Sequence, residues 1–203
     1  MQLPDDALWV LQVSDTHLYA DKEGTLAGVN TFKTMHQTLD MALDRLPRKP
    51  DLLIATGDLV HDASTAGYDH LARSLLELEI PAHSLPGNHD DPVLLAERMA
   101  ANGIPVSKLV DTEHWRILLL DSTVAGDAGG HLGAAELAWL DQQIKATNKH
   151  LLVCLHHQPI TVGSRWIDTM AVDNGHLLIS LLGNNPRVKA VTWGHVHQVF
   201  EHF

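Results

Sequence analysis

The chain has 203 residues, with 14 lysines and arginines against 25 aspartates and glutamates and a net charge of −11. That length suits one domain, fractions of 45% hydrophobic and 19% charged residues exclude wholesale disorder, and so acidic a chain argues against coating the phosphate backbone of long nucleic acids. Histidine is the outlier, at 15 residues against 2 tyrosines and 3 phenylalanines, which puts metal or acid–base chemistry first.

Residues 1–6 have neither a basic n-region nor a long apolar stretch, so no leader peptide is expected. The segment 8–13 reads as a strand. A helix follows over 31–46, where Phe32, Met35, Leu39, Leu43 and Leu46 recur every three or four residues. Thr31 stands near its start and Pro47 stops it. The run 52–56 is a second strand. Tyr68, Leu71, Leu75 and Leu78 mark a second helix, ended before Pro81. A short strand is expected at 82–85 and a helix at 92–101, with proline in its first turn. A strand at 115–120 and a helix at 134–146 follow, the latter with its stripe of Leu137, Leu140 and Ile144. Strands at 151–155 and 188–193 flank a short helix at 176–182. Strands apolar throughout need cover on both faces, and alternating β and α predicts an α/β fold. The apolar runs 117–120 and 151–155 fall far short of the ~20 residues of a membrane span. Cys154 is the only cysteine. No intrachain disulfide can form, which fits a reducing, cytoplasmic setting.

In such folds, ligands gather beyond the carboxyl ends of strands. There this sequence places Asp15 and His17 after the first strand and Gly57-Asp58 after the second. Gly87-Asn88-His89-Asp90 follows the third, His156-His157 the strand at 151–155, and Gly194-His195-x-His197 the last. Asp121 ends a sixth strand without a distinctive neighbour. Each piece alone reads as turn or core chemistry. As an ordered set at strand ends they point to a metal site. In an extended segment residues two apart face one side, so Asp15 with His17, and His195 with His197, are expected to act as pairs. Carboxylates and imidazoles without thiolates suit iron, manganese or zinc. Glycines 57, 87 and 194 let the backbone turn sharply and come close.

This ordered set resembles the calcineurin-like metallophosphoesterase superfamily over nearly the whole chain. The segments Gly28-Val29-Asn30-Thr31, His156-His157-Gln158-Pro159 and Gly163-Ser164-Arg165-Trp166-Ile167-Asp168 resemble its bacterial class III cyclic-nucleotide phosphodiesterases. The resemblance implies a single domain over 1–203: two stacked β-sheets flanked by helices, a metallophosphoesterase-like sandwich. Its second sheet would be incomplete at the carboxyl end, where 199–203 looks like a further strand cut short. It implies two divalent or trivalent ions, iron or manganese first, with zinc or cobalt as alternatives. Asp15, His17 and His197 would hold one ion, Asn88, His156 and His195 the other, and Asp58 both. His89 would be the catalytic non-ligand over the substrate phosphate, with Asn88, Asn30 and His197 as further substrate contacts.

The implied activity is hydrolysis of 3′,5′-cyclic nucleotides, cyclic AMP favoured, to 5′-nucleotides. The partner is a small phosphodiester rather than a nucleic acid polymer or a membrane, and a homodimer is allowed. The alternatives are a broader phosphodiesterase acting on glycerophosphodiesters, a phosphomonoesterase, and a non-catalytic binding module of the same fold. Several residues keep two readings. Asp90 or Asp62 could orient His89. Asn30, Arg165 and Trp166 either touch a nucleotide or pack a loop. Cys154 reads as a small buried apolar group, and His157, next to His156 on a strand, should face away from it.

Overall fold

The protein is described by a computed structural model covering residues 7–202 apart from Asn184. Residues 1–6, read above as lacking a leader, and Phe203, the end of the expected last strand, lie outside the described residues.

Two sheets stack face to face. The first is parallel and has three strands in the order β1 (Val10–Val13), β4 (Leu52–Thr56), β5 (Ala82–Leu85). The second has four in the order β6 (Leu109–Asp111), β7 (Trp115–Leu119), β8 (His150–Cys154), β9 (Val188–Thr192), with only β6 antiparallel. A small hairpin of β2 (Thr25–Leu26) and β3 (Val29–Asn30) stands apart.

The period-two alternation of each strand explains the layering. Leu52 and Ile54 of β4, Ile117 and Leu119 of β7 and Cys154 of β8 point inward and form the core between the sheets, with Leu85. Leu53 and Ala55 point the other way, onto α1 (Thr31–Arg45), α2 (Thr65–Glu77) and α3 (Pro92–Ala101). Leu118, Leu151 and Val153 do the same on the far side, beneath α4 (Ala134–Lys145) and α5 (Gly175–Leu182). β4, covered on both faces and buried at all five positions, is for that reason a near-continuous apolar run. The result is the α/β sandwich that the sequence predicts. No helix among the described residues is long and apolar enough to cross a membrane.

Three details refine or depart from expectation. Asn30 caps α1 directly before Thr31, its Oδ1 accepting from the Lys33 amide at 2.8 Å. The hairpin, β6 and a 3-10 turn at Ile167–Met170 are additional elements. Residues 199–202 form no strand, so the expected terminal strand does not start there.

A buried carboxylate pins the loops after β4 and β5 together. Asp90 accepts from the amides of Leu59 (3.1 Å), Val60 (3.0 Å) and Gly87 (2.9 Å), and from the Tyr68 hydroxyl (3.1 Å). Burial pushes its pKa up to about 6, against the pull of those amides. Tyr68 is fully buried, and its oxygen also accepts from the Asp91 amide at 2.8 Å. Tyr68→Phe removes both bonds and should cost about 1–3 kcal/mol of unfolding free energy. Leu76→Ala, at a side chain 46% exposed, should stay within about 0.5 kcal/mol of the parent. Denaturant titration of both variants checks this, and equal midpoints would show that the hydroxyl carries no load.

Candidate metal centre

The site is assembled at the carboxyl ends of β1, β4, β5, β8 and β9, so both sheets contribute. Its local conformation is unusual. Asp15 (φ 55°), His17 (42°), Asp58 (52°), His195 (68°) and His197 (50°) all lie in the left-handed region, which non-glycine residues adopt at a cost. The pairs Asp15/His17 and His195/His197 therefore do not converge as alternate residues of an extended segment. Successive left-handed corners turn them to one side instead. Of the three glycines, Gly57 supplies a positive φ of 88°, whereas Gly87 and Gly194 are needed for space. A Cβ on Gly87 would lie 2.2 Å from Asp58 Oδ1, and one on Gly194 would lie 2.8 Å from the Thr56 carbonyl oxygen and 2.9 Å from Asp15 Oδ2.

Asp58 lies at the middle. Its Oδ1 is 3.3 Å from His156 Nε2, and its Oδ2 is 3.8 Å from His17 Nε2. Asn88 Oδ1 is 3.3 Å from the same His156 nitrogen. On the other side His197 Nε2 is 3.2 Å from Asp15 Oδ1 and 3.5 Å from His17 Nε2. Potential ligand atoms of Asp15, His17 and His197 lie within 4.8 Å of one another, as do those of Asp15, Asp58 and His156. The His156 Nδ1 faces the Thr56 carbonyl at 2.9 Å, so that nitrogen carries a proton and Nε2 is the atom turned to the site. The Asp15 carboxylate accepts from the His195 amide at 3.1 Å, and Asp58 Oδ1 accepts from the His89 amide at 2.9 Å.

Electrostatics follow from burial and crowding. Burial takes His17 down to about 4 against the opposing pull of Asp58 and Asp15, and takes His195 to about 4 with help from the nearby His156. Both are therefore neutral near pH 7, the form that ligates metal. Burial works against ionised Asp58, but its hydrogen bond to His156 and the His156 charge outweigh it and hold the carboxyl well below the carboxylate range. His197 is raised by its hydrogen bond to Asp15. His156 loses to burial but gains more from Asp58, and ends raised.

Seven predicted ligands and His89 thus meet at one rim, whereas other candidates do not join it. Asn30 is committed to the helix cap, with Nδ2 donating to the Lys22 carbonyl at 3.0 Å. Neither Asp90 nor Asp62 orients His89. Asp90 serves the amides above, and Asp62 accepts from Ala20 N and Ser64 N. Asp121 caps a local turn through Thr123. Trp166 is 73% exposed rather than packed, and Cys154 is buried between the sheets with its thiol pushed up to about 12 by desolvation. His157 does not turn away as strand alternation predicts, because β8 ends at Cys154. Its ring lies 4.9 Å from that of His156 and 4.8 Å from that of His195, and its Nδ1 meets Ser122 Oγ at 2.8 Å.

The sequence pattern misses His61 entirely. Its ring lies parallel to that of His89, 4.6 Å away at 23°, and its Nδ1 is 3.2 Å from His17 Nδ1. A cavity of about 250 Å³ opens beside Asp15, His17 and His197, walled by Leu26 and Val29 of the hairpin and by Thr34 of α1.

The sequence profile of the family described as calcineurin-like phosphoesterase matches residues 8–199. The chain belongs to the calcineurin-like phosphoesterase family. It is 38% identical over 191 residues to the 3′,5′-cyclic adenosine monophosphate phosphodiesterase CpdA of Escherichia coli strain K12, covering 93% of this chain and 69% of the relative. It is 34% identical over 192 residues to a 3′,5′-cyclic-nucleotide phosphodiesterase of Nostoc sp. strain PCC 7120, covering 94% and 72%. The purple acid phosphatase PPD1 of yellow lupin seeds shares the fold, with a TM-score of 0.58 at 13% identity over 94% of this chain and 38% of that one.

A calcineurin-like phosphoesterase implies a dinuclear metal site, and the donors here fit one. They are oxygens and imidazoles in contact without thiolates, and His195 Nε2 is buried with no hydrogen-bond partner. Gly194→Ala should test the crowding. Its methyl must displace the Ser14 hydroxyl and crowd the Thr56 carbonyl and Asp15, so stability should fall by about 1–3 kcal/mol and metal content per chain should fall with it. Chemical unfolding and elemental analysis read both, and parental values for both would show that the space is not needed.

Proposed function

We propose that this chain hydrolyses 3′,5′-cyclic nucleotides, cyclic AMP first among them, to 5′-nucleotides at the Asp58 centre. The observation that carries the reading is the Asp58 carboxylate, whose two oxygens face two different imidazoles, His156 at 3.3 Å and His17 at 3.8 Å. The similarity to enzymes named for cyclic nucleotides supports the substrate class. In this assignment Asp15, His17 and His197 hold one ion, Asn88, His156 and His195 hold the other, and Asp58 serves both. Iron and manganese suit these donors, with zinc and cobalt as alternatives. When bound, the ions supply Lewis-acid polarisation of the phosphoryl group and of water.

The remaining work falls to the chain. His89 is exposed, while Asp58, His156 and His195 are buried around it. Its amide is tied to Asp58 Oδ1, which keeps its ring beside the bridging carboxylate. A ring N–H of His89 delivers its proton to the leaving 3′ oxygen as that bond to phosphorus breaks, the oxygen of water bonds to phosphorus in its place, and the proton that water gives up passes to solvent. In this reading Asn88 and His197 contact the phosphate, His197 also lining the cavity, whereas Asn30 is occupied as the cap of α1. The neighbouring cavity suits a small ester. A cytoplasmic setting accords with a sole, buried thiol.

Asp58→Ala should lose both ions and activity together, whereas Asn88→Ala should deplete chiefly one. Metal content by mass spectrometry decides, and two ions retained in Asp58→Ala would remove Asp58 from the bridging role.

His89→Ala should keep both ions and lower kcat on cyclic AMP by about 10²–10⁴. The loss should shrink on an activated aryl diester, whose leaving group needs little protonation. Equal losses on both substrates would reject the proton-donor role and leave charge stabilisation.

A further inference from the structure

His61 connects two groups that the proposed reaction keeps separate. Its backbone is fixed, since its amide donates to the Leu18 carbonyl at 2.7 Å, and Leu18 in turn bridges Val60. Its side chain reaches back across the Asp58 loop. On one side its Nδ1 meets His17 Nδ1 at 3.2 Å. On the other its ring stacks on His89, with centroids 4.6 Å apart and planes at 23°. His17 and His89 meet each other only edge to face, at 5.0 Å and 81°.

The tautomers follow from these contacts. His17 turns Nε2 toward Asp58 and His197, so ligation through Nε2 leaves its proton on Nδ1. A ligand histidine needs an acceptor for that outer N–H, most often a carboxylate or a backbone carbonyl, which fixes the ring and raises its basicity. Here the group in place is the Nδ1 of another imidazole. To accept, His61 must carry its own proton on Nε2. The same ring then offers a flat face that limits the rotation of the exposed His89 side chain.

We propose that His61 is a positioning residue that locks the tautomer of the ligand His17 and the ring plane of His89 at once. The proposal rests on the reading of His17 as a ligand and of His89 as the group over the phosphate. It predicts that the two functions separate. His61→Phe keeps the ring and removes the acceptor. His61→Asn keeps an acceptor oxygen near the place of Nδ1 and removes the ring.

The experiment uses the full chain loaded with zinc, which is diamagnetic. Zinc affinity is read by chelator competition, histidine tautomers by ¹⁵N nuclear magnetic resonance, and kcat and KM with cyclic AMP. His61→Phe should bind zinc about 10–100-fold more weakly and lose the protected Nδ1–H signal of His17. His61→Asn should hold zinc as the parent does and keep that signal, yet lose kcat with KM unchanged. Parental affinity and a protected His17 Nδ1–H in His61→Phe would overturn the proposal. So would loss of a whole equivalent of zinc at saturation from both variants, because His61 would then itself be a ligand. A His17→Ala chain that still holds both ions would place the failure in the ligand reading instead.

Discussion

The structure depends on holding five non-glycine residues in left-handed backbone at one rim. Asp15, His17, Asp58, His195 and His197 each bear a strain of about 1–3 kcal/mol, a large sum beside the ~5–15 kcal/mol of a typical domain. Hydrogen bonds between the strand ends hold them in place. The Asp15 amide donates to the Gly57 carbonyl at 3.0 Å and the His17 amide to the Asp58 carbonyl at 2.9 Å. Gly194 donates to the His156 carbonyl at 3.1 Å, and the His195 amide rests on the Asp15 carboxylate. Asp15, His17 and His195 are thus each held by a neighbouring strand end, and the side chains of Asp15, His17 and His197 meet in one small volume.

Two sheets share the task, so their registration matters as much as the loops. Asp15, His17, Asp58, Asn88 and His89 come from the three-stranded sheet, and His156, His195 and His197 from the four-stranded one. The apolar layer between them sets the distance. Gln12 sets the lateral position at the rim: its Nε2 donates to Thr56 Oγ1 at 2.9 Å and to the Trp193 carbonyl at 3.0 Å, and its Oε1 accepts from Thr192. The bond from His156 to Thr56 crosses the same gap. One polar seam therefore aligns the sheets and fixes the tautomer of a candidate ligand.

The strongly periodic parts of this architecture were legible in the sequence for a physical reason. β4, β5 and α3 match their expected bounds because Gly57, Pro86 and Asn102 directly follow their last residues, and β4 is in addition an unbroken buried run. The hairpin was not legible, since two residues per strand leave no alternation to see, nor was β6, whose three residues are only partly buried. At the site, glycine-flanked carboxylates and imidazoles marked the rim, but spacing misjudged direction. Alternation fails past the end of a strand, as His157 shows, and it cannot be carried through a left-handed residue. His61 lies three residues beyond such a corner at Asp58. Its return to the site is a property of the turn and not of any sequence period.

The charge distribution is compatible with the proposed action of an acidic protein on an anion. The chain carries −11 overall, yet the proposed centre contains only two carboxylates, Asp15 and Asp58, among its seven donors. The other five add no negative charge, and burial keeps His17 and His195 uncharged. Two divalent ions in such a set leave a local excess of at least two positive charges, concentrated where the wall is poorly solvated and screening is weak. The acidic exterior repels a long polyanion over its whole length, whereas a singly charged small diester meets mainly the field of the rim. In the proposed function, a centre with only two carboxylates and an acidic exterior would act together, the first favouring a small anion and the second opposing a long polyanion.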